Sequence, residues 1–338
     1  LYHIFPTLYD FTPSDPDPTA AMTAADEPLT MPDAQIRRWI RRELKSAPPR
    51  APSLIITVWG DSIAPHRGAV MLGGLIDLLA PFGINERLVR TSVFRLAREG
   101  WLKAKPIGRE SLYQLTRDGA RRFRQAYRRI YAPPDEGWSE SWEIVIADGS
   151  TPAQRRALKQ ELEWEGFGTF GSGVLARPAT AVSAVPRIAA ALHVERDIAV
   201  VRARDDAGLG GRTLASLVPK AWDLTGLSTH YREFLRRFGK VIDRFRMAGK
   251  ATLDPAQAFI VRTLLIHEYR RVLLRDPQLP ATLLPLDWPG AAAYTLCRDF
   301  YQLTHRAAER HLLATLNNAH GRLPPASADF YRRFGGLG

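Results

Sequence analysis

The chain has 338 residues, 45% of them apolar, enough for two or three domains each with its own core rather than one closed core. Forty-seven Lys and Arg against 35 Asp and Glu give a net charge of +12, which suits a polyanionic partner, although a basic soluble protein with no nucleic-acid role has the same balance. The single cysteine, Cys297, excludes an internal disulfide and any zinc site built on several thiolates, so a reducing cytoplasm is the expected compartment; no apolar run reaches the roughly 18–20 residues that cross a bilayer.

The opening LYHIFPTLYDF lacks a basic n-region and does not read as a signal peptide. Residues 1–32 carry Asp10, Asp15, Asp17, Asp26 and Glu27 with no Lys or Arg, and their Pro, Ala and Thr content reads as a flexible acidic tail. From Asp33 a helix is expected, with Ile36, Trp39, Ile40 and Leu44 at helical spacing and Pro48 and Pro49 closing it. LIITVW is apolar throughout, so periodicity cannot assign it; its context favours a buried helix. Gly68 to Phe82 contains a further helix, MLGGLIDLLAPF, ended by the turn at Pro81 and Gly83. Asn85 to Glu99 reads as the next, with Asn85 as N-cap, Glu86 in the first turn and Gly100 as the stop. Trp101–Lys105 and Ser111–Thr116 follow as two strands around a Pro-Ile-Gly-Arg-Glu turn, and RDGARRFRQAYRRIY as a basic helix ending at Pro133 and Pro134. This is the order of a winged helix-turn-helix domain, taken as residues 33–132. WEIVIA, TPAQRRALKQELEWE, FGTF, GVLARP, TAVSAVPRIAAALH and DIAVVRA then give β-α-β-β-α-β, a ferredoxin-like order over 138–206, and residues 209–320 read as mostly helical. The fold class expected is therefore α+β.

On the helix from Asn85, Val89, Val93 and Leu96 fall on one stripe, and Arg87, Arg90, Thr91, Arg95 and Arg98 lie outside it. Arginine can bond guanine bidentately and threonine can meet a thymine methyl, so Arg87, Arg90 and Thr91 are the candidate base contacts, with Arg95 further along. Lys103, Lys105 and Arg109 on the hairpin suit phosphate, where charge adds affinity without sequence information. Taken alone, such a helix face is most often a solvated surface; the flanking helix-turn and basic hairpin change that balance.

Several long stretches, GDSIAP (60–65), LLAPFGINERLVRTSVFRLAREGWL (78–102), EWEGFG (163–168), WDL (222–224) and HEYRRVLLRDPQLPATLLPLDWPG (267–290), resemble the PaaX family of repressors of phenylacetate catabolic genes. The resemblance runs from about Ser53 to Leu313. It implies an N-terminal winged helix domain, a central domain similar to Cas2 proteins, a helical C-terminal domain, and homodimers on double-stranded operator DNA that phenylacetyl-coenzyme A releases. For a two-fold dimer the operator is then a near-palindrome.

His267, Glu268, Arg270 and Arg271 share little more than one helical turn, but Arg271 stands where a zinc hydrolase needs a second histidine. Two readings stay open. The cluster is an ion-pair network holding its helix against LPLDWPG, or His267, Tyr269, Arg270, Arg271 and Trp288 receive an acyl-coenzyme A, with arginine forks on phosphates and aromatic faces on a ring. Trp164 and Phe167 read as core of the ferredoxin-like unit or as dimer interface, and Asp148 as a turn residue near the place where Cas2-type nucleases carry a metal-binding aspartate. An acyl-coenzyme A enzyme or a metal-dependent nuclease is the alternative class. The sequence offers it no nucleophile-and-base spacing, phosphate-cradling glycine loop or cluster of metal ligands, so no catalytic residue, metal or cofactor is assigned.

Overall fold

The computed structural model describes residues 31–133, 137–149, 151–180, 182–205, 211–249, 252–316 and 323–337. The acidic segment read as a tail lies, up to residue 30, outside the described residues. The chain forms two compact units, neither continuous in sequence. The first takes the described residues up to Ala132 with Phe234–Arg270 and Ala293–Gly338; the second takes Pro133–Glu233 and Arg271–Ala292.

In the first unit, α1 (Met31–Ser46) buries Ile36, Trp39 and Ile40 and leaves Arg38, Arg41, Arg42 and Lys45 exposed, and Trp39 packs on Phe238 with ring centroids 5.5 Å apart. LIITVW is helical: α2 (Ala51–Val58) has a proline in its first turn and is buried almost all round, which is why it shows no stripe. It passes into a wide π turn, Trp59–Ile63, and a 3-10 turn, Ala64–His66. The helix expected within Gly68 to Phe82 is present, with a short strand ahead of it that periodicity does not show. Ala69–Met71 form a short strand, β1, Leu72–Leu79 form α3, and Ala80–Phe82 tighten into a 3-10 turn. A three-residue apolar strand running into an apolar helix has no period of its own to betray it.

Gly83, at φ 76°, turns the chain into α4 (Glu86–Arg98), whose Asn85 cap accepts the Leu88 N–H at 2.9 Å. After it come β2 (Leu102–Ile107) and β3 (Glu110–Leu115), in an antiparallel sheet of order β1-β3-β2. The hairpin turn is tighter than the five residues expected: Pro106 and Ile107 still pair with Ser111 and Glu110, leaving Gly108 and Arg109 as a two-residue turn with Gly108 at φ 59°. α5 (Arg117–Tyr131) is capped by the Thr116 hydroxyl, which accepts the Gly119 N–H at 2.9 Å.

The second unit follows the expected β-α-β-β-α-β order: β4 (Ser141–Ala147), α6 (Pro152–Trp164), β5 (Gly168–Gly171), β6 (Val174–Pro178), α7 (Val185–Leu192) and β7 (Ile198–Arg204). The strands lie in the order β5-β6-β4-β7 with every neighbouring pair antiparallel. Val145, Ala147 and Leu175 on one face pack against Leu158 and Leu162 of α6 and Val185, Ile188 and Ala189 of α7, with Phe167 in the same core. Trp142 and Ala176 face the other way, onto Val218 of α8 (Val218–Ala221), Leu224 and Leu279, with Trp222 and Trp288 half-buried beside them. Glu143 and Arg177 are cross-strand partners inside this unit, 2.8 Å apart and 1% and 8% exposed; Arg177 also donates to the Glu165 carbonyl at 2.9 Å and lies over the Phe167 ring.

The helical C-terminal region consists of α9 (Leu224–Ala248), α10 (Pro255–Leu273), α11 (Gly290–Leu316) and the short α12 (Ala328–Tyr331). Among the described residues no helix is long and apolar enough to cross a membrane. In the first unit these helices close over the π turn. The π register gives the Ala64 N–H to Trp59, and Pro65 has no N–H for the carbonyls of Gly60 or Asp61. Arg333 supplies both donors, at 3.2 Å to Gly60 and 2.7 Å to Asp61. The Asp61 carboxylate, 1% exposed, accepts from the hydroxyls of Tyr131 at 2.6 Å and Tyr301 at 2.9 Å, and faces Arg262 at 3.5 Å and Arg333 at 3.3 Å. Burial pushes both tyrosine hydroxyls above their usual pKa, so they stay protonated donors. The Arg333 guanidinium also lies over the rings of Tyr131 and Phe330.

Beside this network, both ring nitrogens of His66 face acceptors, Glu309 at 2.9 Å and the Pro324 carbonyl at 2.5 Å. Desolvation pulls the His66 pKa down, but these two hydrogen bonds and the Glu309 charge outweigh it and the nearby Arg262, and the net shift is upward. A raised folded pKa stabilises the fold below the unfolded value of about 6.5 and stops doing so as pH rises through the folded value. Burial lowers the pKa of His305 and His311, whose contributions have the opposite sign. Urea unfolding of wild type and His66→Gln at about pH 6, 7 and 8 is expected to show wild type losing its advantage over the variant as pH rises, since His305 and His311 are common to both.

Candidate nucleic-acid interface

α4 is two-faced. Val89, Val93 and Leu96 are buried, and Arg87, Arg90, Thr91, Phe94 and Arg98 are exposed. Residues 87, 91, 94 and 98 are spaced four, three and four apart, so they form one row along the solvent side. Glu86 holds Arg90 through Nε at 2.7 Å and Nη2 at 2.6 Å, and Glu99 holds Arg95 at 2.8 Å. Exposed pairs one helical turn apart contribute only about 0.3–0.5 kcal/mol, so Arg90 can exchange Glu86 for a base edge at little cost. The glutamates of α4 and its C-cap being engaged in this way, Arg87 and Arg98 are left without an ion pair among the described residues. The Thr91 hydroxyl donates back to the Arg87 carbonyl at 2.8 Å, so the group Thr91 can offer a partner is its methyl.

The hairpin is fixed to the end of this helix. The Trp101 N–H donates to the Leu96 carbonyl at 2.9 Å, and the Thr116 hydroxyl to that of Gly100 at 2.6 Å. The Trp101 indole, 3% exposed, is wedged against Phe123, and Arg122 covers its ring. Lys103 and Lys105, two apart on β2, share one face of the hairpin, and Arg109 sits at its turn; all three are exposed. The seven residues proposed to touch DNA are thus all solvent-facing or partly so, on two adjoining elements of one unit.

The five residues read as effector-binding do not all lie in one unit. His267, Tyr269 and Arg270 belong to the first, where they are buried: His267 Nδ1 meets the Thr57 hydroxyl at 2.9 Å, Tyr269 packs on Phe234, and Arg270 donates to Ser53 at 3.2 Å. There, too, Glu268 faces Arg237 at 3.3 Å. Arg271 and Trp288 belong to the second unit, Arg271 exposed and Trp288 half-buried against Tyr231. In that unit Asp276 accepts from Tyr231 at 2.6 Å and Asp287 pairs with Arg232. Asp148 is exposed, and among the described residues no group of three or more His, Cys, Asp or Glu could hold a metal ion.

Sequence reasoning missed the Asp61, Arg262, Tyr301 and Arg333 cluster, whose members lie up to 272 positions apart. The one local signal is the aspartate of WGDSI, a carboxylate inside an apolar run, which must be paired if it is buried.

Three family models match: "PaaX-like protein" over residues 50–119, "PaaX protein central Cas2-like domain" over 135–215, and "PaaX-like protein C-terminal domain" over 222–314. The transcriptional repressor PaaX of Escherichia coli (strain K12) is 33% identical over 304 residues, spanning 90% of this chain and 96% of that protein. Among solved structures, the uncharacterized protein Rv0674 from Mycobacterium tuberculosis superposes with a TM-score of 0.52 at 26% identity, covering 78% of this chain and 98% of that one.

Proposed function

Because the chain belongs to the PaaX family, we propose that it is a transcriptional repressor of phenylacetate catabolic genes that binds operator DNA through a winged helix-turn-helix. The observation that carries this reading is α4 itself, capped, packed on one side, and presenting an exposed row of arginines next to a basic hairpin. In this reading α3 and α4 are the helix-turn-helix, joined at Gly83, and β2 and β3 are the wing. Residues 33–132 form the DNA-binding part, 138–206 the Cas2-like part that pairs two copies, and 209–320 the part linked to the effector. Arg87, Arg90 and Thr91 read bases, Arg95 supports them, and Lys103, Lys105 and Arg109 hold phosphates.

Release follows from a two-state balance: the effector binds the non-binding arrangement of the paired reading helices better than the DNA-bound one, and shifts the equilibrium by that difference alone. The effector proposed is phenylacetyl-coenzyme A or a related ester. Of the five residues linked to it, Arg271 and Trp288 keep surface that a phosphate and a ring need, while His267, Tyr269 and Arg270 are core residues that tie α10 to its neighbours in the first unit. A dose-dependent rise in melting temperature with phenylacetyl-coenzyme A, absent with free phenylacetate, is the supporting result.

The test of the DNA contacts is fluorescence anisotropy on a panel of operator duplexes. Arg87→Ala is expected to weaken binding by about 1–3 kcal/mol and to relax preference at one base position, whereas Lys103→Ala should weaken every sequence alike and reduce the salt slope by about one. Identical behaviour of the two variants across the panel would remove the distinction between reading helix and wing.

A further inference from the structure

Phe94 is 62% exposed, in the middle of the row Arg87, Thr91, Phe94, Arg98. The aromatic residues that flank α4 in sequence are buried, Phe82 and Trp101 at 3% each. A phenylalanine 62% exposed amid arginines leaves most of its apolar surface in water, a surface that burial against a partner would stabilise. What would cover it must be a polyanion, because Arg87, Arg90 and Arg98 surround it, and must present an apolar group at a spacing of about one helical turn from the base contacts. A duplex offers one such group in its major groove, the C5-methyl of thymine. Thr91, with its hydroxyl turned back on the helix and its methyl remaining, extends the same apolar strip toward Arg87.

We propose that Phe94 reads a thymine methyl in the operator, the apolar complement to the guanidinium contacts of the same row. The inference rests on α4 being the reading helix and adds a specificity determinant to it. It predicts that each half-site contains a thymine whose methyl, rather than its hydrogen-bonding edge, is recognised.

The experiment uses the full chain. A duplex is first selected from a random library, and each of its thymines is then replaced singly by deoxyuridine, which removes the methyl and leaves every base-pairing group in place. Wild type is expected to lose roughly three- to tenfold in affinity at one symmetry-related thymine position, the scale of one or two buried apolar carbons. Phe94→Ala is expected to lose about the same on the unmodified duplex and then to be indifferent to deoxyuridine at that position, so that the two changes are non-additive. Phe94→Leu should restore part of the discrimination. Because the ring is exposed, neither variant should melt below wild type.

Equal sensitivity of wild type and Phe94→Ala at every position would overturn the proposal, as would a wild type indifferent to every deoxyuridine. A Phe94→Ala variant that loses affinity equally on both duplexes while changing its oligomeric state would assign the ring to a contact between copies and overturn it too. Failure to select any sequence would instead remove the reading of α4 on which it rests, a different result from a selected sequence with no methyl dependence.

Discussion

Replacing Asp61 by alanine is expected to lower stability by about 3–5 kcal/mol, because it strips a counter-charge from two guanidinium groups that water cannot reach. Arg262 is 0% exposed and Arg333 1%. Arg262 would keep Glu309 at 3.6 Å, but Arg333 would keep only neutral groups: carbonyls, the Tyr301 hydroxyl and rings. The hydroxyls of Tyr131 and Tyr301 would lose their acceptor as well. Asp61→Asn preserves the shape and one acceptor oxygen and should fall between wild type and alanine. Tyr131→Phe removes one hydrogen bond to a charged group and should cost about 1.5–3 kcal/mol. Urea unfolding gives the midpoint, and hydrogen exchange shows where the loss falls: the first unit should open earlier while the sheet of the second keeps its protection. A loss below about 1 kcal/mol for Asp61→Ala would mean that the network is solvated in solution and does not hold the fold.

The second large effect belongs to the Glu143–Arg177 pair. Arg177→Met leaves Glu143, 1% exposed, as an unpaired carboxylate within the sheet, and breaking a buried pair from one side typically costs about 3–5 kcal/mol. It also removes the donor to the Glu165 carbonyl and the cation over Phe167. Replacing both partners, Glu143→Leu with Arg177→Met, should recover most of this, since two apolar side chains fill the space without leaving a charge behind. The double-mutant cycle therefore has a large coupling energy as its expected result. Additive losses would show that each residue acts through its other contacts and that the ion pair itself is worth little.

The elements that were legible in the sequence are those with a local signature. α4 is one: the Asn85 cap, the Val89, Val93 and Leu96 stripe and the Gly100 stop all lie within a few positions of one another, and each does what its residue type requires. The order of the second unit was legible for the same reason, as Trp142 to Ala147 and Val174 to Pro178 alternate or run apolar between clear turn residues. β1 was not, because three apolar residues before an apolar helix carry no period. The hairpin turn was read too wide, since proline at 106 suggested a loop although an edge strand accepts it. The membership of the first unit was beyond reach in principle. Nothing near Asp61 announces that its partners are a tyrosine 240 positions on and an arginine 272 positions on. For the candidate interface, residue types named the arginines, but only the structure separates Arg90 and Arg95, tied to glutamates, from Arg87 and Arg98, and only exposure singles out Phe94.

The dependence of the π turn on Arg333 has a consequence for synthesis. At about 5–20 residues per second a ribosome makes Arg333 roughly 14–54 s after Asp61. Until then the carbonyls of Gly60 and Asp61 lack the donors that the folded unit gives them. A chain that stops short of Arg333 therefore carries α4 without the contacts that close the π turn ahead of it. The buried charge cluster of the first unit is in this way completed only in chains translated past Arg333.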